Sequence, residues 1–286
     1  MATQVRSEAL VKSLNDLCDK YPFQTGWYFK DLSTGETADR NGDVIVPSAS
    51  TRKIAILMTA LKAVNEGKLS RDQPIPIQAK YQDNNSGVFQ HLQPGFILPL
   101  RDHMTMMIIV SDNTCTGTVA DLVGLDAVNA LSQSIGMKGT THRHGIPPNG
   151  LDRNHPVDAS NATTPNDVGL ILELILQGTT DKDTAAKLGC TPELCRLGLD
   201  ILLWQKLNTR LPSMLPQGAR VAHKTGTGAR NFNDAGIIFQ GERPLCVLTA
   251  YTEHVPVELP DGTPGHTATA QLLGSLARNC YDALKQ

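Results

Sequence analysis

The period of the apolar pattern along this chain switches from helix and strand to a long helical stretch and back to strand, and that order restricts the folds open to it. After Ser7, the residues Leu10, Leu14, Leu17 and Tyr21 recur at helical spacing. Residues 26–31 and 36–38 then flank the turn Ser33-Thr34-Gly35 as a hairpin. Ile54, Leu57, Met58, Leu61 and Val64 mark a helix from Ser50 to about Asn65, and helical patterns continue at 100–107, 116–123, 127–135 and 167–176. Strand patterns return at 219–224, 235–239 and 245–252, before a closing helix that carries Leu272, Leu273, Leu276 and Leu284. The expected fold is therefore α/β. One mostly antiparallel five-stranded sheet, built from both termini, is flanked by helices, and an all-helical part is inserted in it. Residues 1–47 and 210–286 make the α/β part, and 48–209 the helical part.

With 286 residues the chain can bury a core without disulfide or metal staples. A formal net charge of -2 makes nucleic acid an unexpected partner. No run approaches the roughly 18 apolar residues of a membrane span, so no membrane partner is expected. The first residues carry no apolar segment with a cleavage site, which points to the cytoplasm, or to the periplasm or exterior if a leader has been removed. Six cysteines without a CxxC pair read as free, buried thiols. Two segments resist regular structure. Residues 143–165, with Gly145, Pro147, Pro148, Gly150, Pro156 and Pro165, form a loop long enough to be a site wall, whereas 253–266 reads as a surface excursion.

Chemistry enters at Ser50-Thr51-Arg52-Lys53. Positions three apart share a helix face, so the Lys53 amine can approach the Ser50 hydroxyl and, if neutral, take its proton. One Ser-x-x-Lys is expected roughly once by chance in such a chain and reads equally well as a helix start with an exposed lysine. Ser111-Asp112-Asn113 and, at the end of an expected strand, Lys224-Thr225-Gly226 follow in order, and the three together are far from chance.

With these motifs the chain resembles the serine β-lactamase and penicillin-binding protein superfamily, and most of all class A β-lactamases. The resemblance extends to 86–92, to 107–110 before the second motif, to Thr163-Thr164-Pro165 and to 221–226. It implies a two-part fold with the site in the cleft between the parts. It implies Ser50 as acylated nucleophile, Lys53 as its proton partner and Ser111 as relay to the leaving nitrogen. Asn113 would bind the substrate's side-chain amide, and Lys224 with Thr225 its carboxylate, beside Gly226. The backbone N–H groups of Thr227 and Ser50 would form the oxyanion hole. The implied partner is a small molecule with a carboxylate and an amide, a β-lactam or an acyl analogue, and no cofactor is called for.

The departure lies in the long loop. Class A enzymes carry a Glu there to activate the deacylating water, yet 143–165 contains none. Counting back from Pro165 puts Pro148 at the Glu position and Asp152 at that of the family's Asn, so Asp152 becomes the candidate base. His142, His144, His155, Asp152 and Asp158 could also be read as metal ligands, but no thiolate or helical His-x-x-x-His accompanies them, and no metal is expected. The functional expectation is a serine acyl hydrolase that opens β-lactam rings and deacylates slowly. The alternatives are an esterase, amidase or acyltransferase on a secondary metabolite, and a β-lactam-binding protein or sensor that does not turn over.

Overall fold

A computed structural model describes residues 2–146, 148 and 150–285. In chain order it contains α1 (Ala2–Cys18), β1 (Gln24–Asp31), β2 (Thr37–Arg40), β3 (Val46–Pro47), α2 (Lys53–Asn65), β4 (Pro74–Pro76), β5 (Ile97–Pro99) and α3 (Leu100–Ile109). Then come α4 (Asn113–Val123), α5 (Leu125–Ser134), β6 (Ala162–Thr163), α6 (Pro165–Gly178), α7 (Lys182–Lys187), α8 (Pro192–Leu203), β7 (Ala219–Thr227), β8 (Phe232–Gln240), β9 (Arg243–Glu253) and α9 (Gly265–Leu284).

The five long strands form one sheet in the order β2-β1-β9-β8-β7, antiparallel throughout. The α/β expectation with a five-stranded sheet from both ends of the chain is met. Central strand β9 is buried on both faces, so its apolar run is continuous rather than alternating. One face packs on α1 and α9, with Leu14, Trp27, Leu248 and Leu273 in a common apolar cluster. The other packs on the inserted helices, where Ile237 and Val247 share a cluster with Leu57, Ile171 and Leu199.

The second face grips the start of α2. Pro47 O accepts hydrogen bonds from Asn231 Nδ2 and Asn233 Nδ2, both at 3.1 Å. Buried Tyr251 donates its hydroxyl to Thr51 Oγ1 at 2.9 Å. β7 runs on to Thr227 rather than ending at Lys224, because Thr225, Gly226 and Thr227 pair with Asp234, Asn233 and Phe232. The Lys-Thr-Gly motif therefore lies within a strand at the sheet's edge, and alternate backbone groups there have no partner strand. Gly226 lets this edge approach: a Cβ on it would lie 3.0 Å from Ser48 O and 3.1 Å from Thr51 Cγ2.

Among the described residues no helix is long and apolar enough to cross a membrane. All six cysteines are buried and unbridged. Titration of the denatured protein without reductant should find six free thiols, and a count below about four would contradict both the spacing argument and the structure.

Candidate active site

Ser50 sits half-buried in a single 3-10 turn, Ala49–Arg52, that feeds directly into α2. The residue before it, Ala49, is held at φ 45°, a left-handed backbone that costs energy for any side chain with a Cβ. Lys53 opens α2 and is 1% exposed. Its Nζ donates to Ser111 O at 2.7 Å, Ser111 Oγ at 3.2 Å and Asn113 Oδ1 at 2.8 Å. The helical spacing brings Lys53 to the Ser111 turn, and among the described residues it forms no hydrogen bond to Ser50. Burial, then the charges of Lys224 and Arg52, hold the Lys53 amine well below its usual range, with Asp112 opposing them. It is thereby shifted toward the neutral amine, whose two N–H groups can serve Ser111 O and Asn113 Oδ1 and whose lone pair remains open.

The Ser111 turn is built by Asp112. Its Oδ1 accepts from Cys115 N at 2.9 Å and so caps α4, while Oδ2 accepts from Val88 N at 2.7 Å and Phe89 N at 2.8 Å. Gly87, at φ 92°, leaves the room for this: a Cβ there would lie 2.2 Å from Asp112 Oδ2. Ser86 Oγ donates to Ser111 O at 2.9 Å, and Asn113 N to Ser86 O at 2.9 Å. Ser111 itself takes φ 57°.

Across the cleft, Lys224 is fully buried and donates to Thr225 O at 2.9 Å. Burial pulls its amine down to about 7, with Asp234 raising it and Arg210 lowering it further. Arg210, which no sequence motif marks, lies outside any regular element. Its guanidinium donates to Gly226 O at 2.7 Å, Asn233 O at 2.6 Å and Thr227 Oγ1 at 2.5 Å, bracing the edge of β7. Ser50, Ser111, Asn113, Thr225 and Thr227 line one cleft of about 280 Å³, and the buried Lys53 and Lys224 are not among the residues that line it. That is near the small end of small-molecule sites.

Asp152 does not join them. It is exposed, its Oδ1 accepts from Asn154 N at 2.6 Å to close a local turn, and it is not among the residues lining the cleft. The neighbouring loop is pinned elsewhere: Arg153 donates to Ala229 O at 2.5 Å, and Arg230 Nη1 to Arg153 O at 3.0 Å. The assignment of Asp152 as base is thus corrected. Pro148, at the position of the family's Glu, lines the cleft together with Leu151 and His155, whereas Pro147 and Asn149 lie outside the described residues. None of the cleft-lining residues described is Asp or Glu. Among the described residues no group of three or more His, Cys, Asp or Glu is placed to hold a metal. His142 is buried, its backbone N donates to Asn129 Oδ1 at 2.7 Å, and its two ring nitrogens have no hydrogen-bond partner among the described residues.

A family model described as the beta-lactamase enzyme family matches residues 9–284. Among solved structures, a β-lactamase from Sphaerobacter thermophilus is 28% identical, with a TM-score of 0.82 over 96% of each chain. PBP-A is 26% identical, with a TM-score of 0.81 over 96% of this chain and 95% of its own. A D-alanyl-D-alanine endopeptidase of Pseudomonas aeruginosa is 30% identical over 140 residues, a match that covers 46% of this chain and 43% of that protein.

The buried lysines predict a pH dependence of stability. Folded Lys224 loses its proton near 7, whereas the unfolded chain keeps it to about 10.5. Between these values the unfolded state binds more protons, so stability rises with pH. From pH 7 to pH 9 the Lys224 share amounts to about 2 kcal/mol. Urea denaturation should show this rise, and Lys224→Met should lose that share of it.

Proposed function

The chain belongs to the beta-lactamase enzyme family, and from that premise we propose that it is a serine hydrolase that opens β-lactam amides through an acyl-enzyme on Ser50 and releases the acyl group slowly. The observation that carries this reading is the buried Lys53 amine, hydrogen-bonded to Ser111 and Asn113 one helical turn from Ser50. Neutral Lys53 takes the Ser50 proton as Oγ attacks the amide carbonyl. The oxyanion accepts from the backbone N–H groups of Ser50 and Thr227. As the C–N bond breaks, Ser111 gives its proton to the leaving nitrogen and is resupplied by the Lys53 ammonium across the 3.2 Å contact. Asn113 Oδ1 is engaged by Lys53, which leaves its Nδ2 to donate to the substrate's side-chain carbonyl. Lys224 and Thr225 receive the carboxylate.

Slow release follows from the cleft wall. An ester on Ser50 needs an activated water, and among the described residues no carboxylate lines the cleft to activate one. A general base contributes roughly 10²- to 10⁴-fold to such a step. The same feature, with the likeness to PBP-A, favours a second reading, a penicillin-binding protein that acylates and stays acylated. What separates the two is the rate of release alone.

A chromogenic cephalosporin should give a burst of one equivalent per Ser50, followed by slow turnover. Intact-protein mass spectrometry should find an adduct that Ser50→Ala abolishes. An adduct that survives Ser50→Ala, or that maps to Ser111, would sink the assignment, and fast sustained turnover would sink slow release. Release of the acyl group should be unchanged in Asp152→Asn, measured by decay of the adduct. Slower decay would return that carboxylate to the mechanism.

A further inference from the structure

Arg52 is a buried charge without a counter-ion. It is 3% exposed, its Nη2 donates to Gly145 O at 2.6 Å, and its Nη1 is buried with no partner. Among the described residues no carboxylate forms an ion pair with it. Arg230, nearly as buried at 4% exposed, shows the usual arrangement, with Glu253 Oε1 at 2.6 Å from its Nε. Burial lowers the Arg52 guanidinium only to about 10, so it stays a cation at neutral pH. An unpaired buried cation is costly, and an incoming anion would offset that cost.

Among the described residues its surroundings offer no free anion. Buried His142, which feels the Arg52 charge, is held neutral, its pKa pushed down to about 3 by burial first and that charge second. Both oxygens of Asp112 are taken by backbone N–H groups. Asp234 accepts from Leu211 N at 3.1 Å and lies 2.9 Å from His223 Nδ1. Arg52 nevertheless lines the same cleft as Ser50 and Asn113. The site thus has basic side chains at two places, Arg52 beside the long loop and Lys224 with Arg210 at the edge of β7, and among the described residues no acid lines its wall.

Resting on the acyl-enzyme reading above, we propose that Arg52 is a second carboxylate-binding residue and that the favoured ligand is a dianion. One carboxylate meets Lys224 and Thr225, and the other, on the acyl side chain, meets the Arg52 guanidinium at its unpartnered Nη1. A guanidinium presents paired donors that match a carboxylate, which makes Arg suited to this task. In this chain Arg52, the second of the two residues between Ser50 and Lys53, selects the acyl group.

Equilibrium binding is measured on the Ser50→Ala protein, which cannot be acylated, so the outcome does not depend on turnover. The probes are three penicillins that differ at one side-chain carbon: benzylpenicillin, its α-carboxy derivative carbenicillin and its α-amino derivative ampicillin. Carbenicillin should bind about tenfold or more tightly than benzylpenicillin, the gain from one charge-assisted pair, and ampicillin more weakly than both. Adding Arg52→Gln should bring the three affinities together, while Arg52→Lys, which keeps the charge, should preserve their order. The order in the Arg52 protein is decisive even if Arg52→Gln fails to fold. Equal affinities, an order led by ampicillin, or no binding of any of the three overturns the assignment. An adduct on Ser50 in the unsubstituted protein is scored separately: affinities in the expected order without an adduct would fail the acyl-enzyme reading alone.

Discussion

Three hydrogen bonds from Lys53 Nζ hold the site in one piece. They join the first residue of α2, just after the turn that carries Ser50, to the Ser111 turn and the first residue of α4. No other side chain could do the same work. A shorter one would not span the gap, and an arginine would stay charged at neutral pH and could not serve as a base. Burial makes the amine useful, and burial is supplied by everything around it: the apolar helices behind α2, Lys224 and Arg52 repelling a proton, and Asp112 closing the far side.

The sheet contributes position rather than chemistry. Asn231 and Asn233 fix Pro47, Tyr251 fixes Thr51, and Arg210 braces Gly226 and Thr227. Ser50 therefore stands between two frames that are far apart in sequence. The left-handed backbones of Ala49 and Ser111 lie where those frames meet. Such conformations persist only where the surroundings over-determine them, and here hydrogen bonds from both sides do so.

Much of this architecture was legible in the sequence because it rests on repetition. The helical spacing of Ile54, Leu57, Leu61 and Val64, and the apolar runs of β8 and β9, answer to one buried face or to two, and period alone reveals them. The three motifs were legible because their chemistry fixes residue type. Other features left no such trace. The two-residue strands β3 and β6 exist only through pairing with each other, Val46 with Thr163 and Pro47 with Ala162. α7 and α8 begin at the side-chain caps Asp181 and Thr191, signals that were present but short. Arg210 and Arg52 matter for what they meet across the fold. Asp152 misled because its position in a count says nothing of direction: its carboxylate closes a local turn instead of facing Ser50.

Gly226 has a mechanical consequence. With Ser48 O only 3.0 Å from where its Cβ would sit, the edge strand already rests against the nucleophile turn. The cleft is a vice closed to its stop, with the jaw gap set by a missing methyl group. It can yield only by opening, and any side chain at this position would act as a wedge. Such a wedge would push Gly226 and its neighbour Thr227 away from the turn that carries Ser50, widening the cleft along that edge.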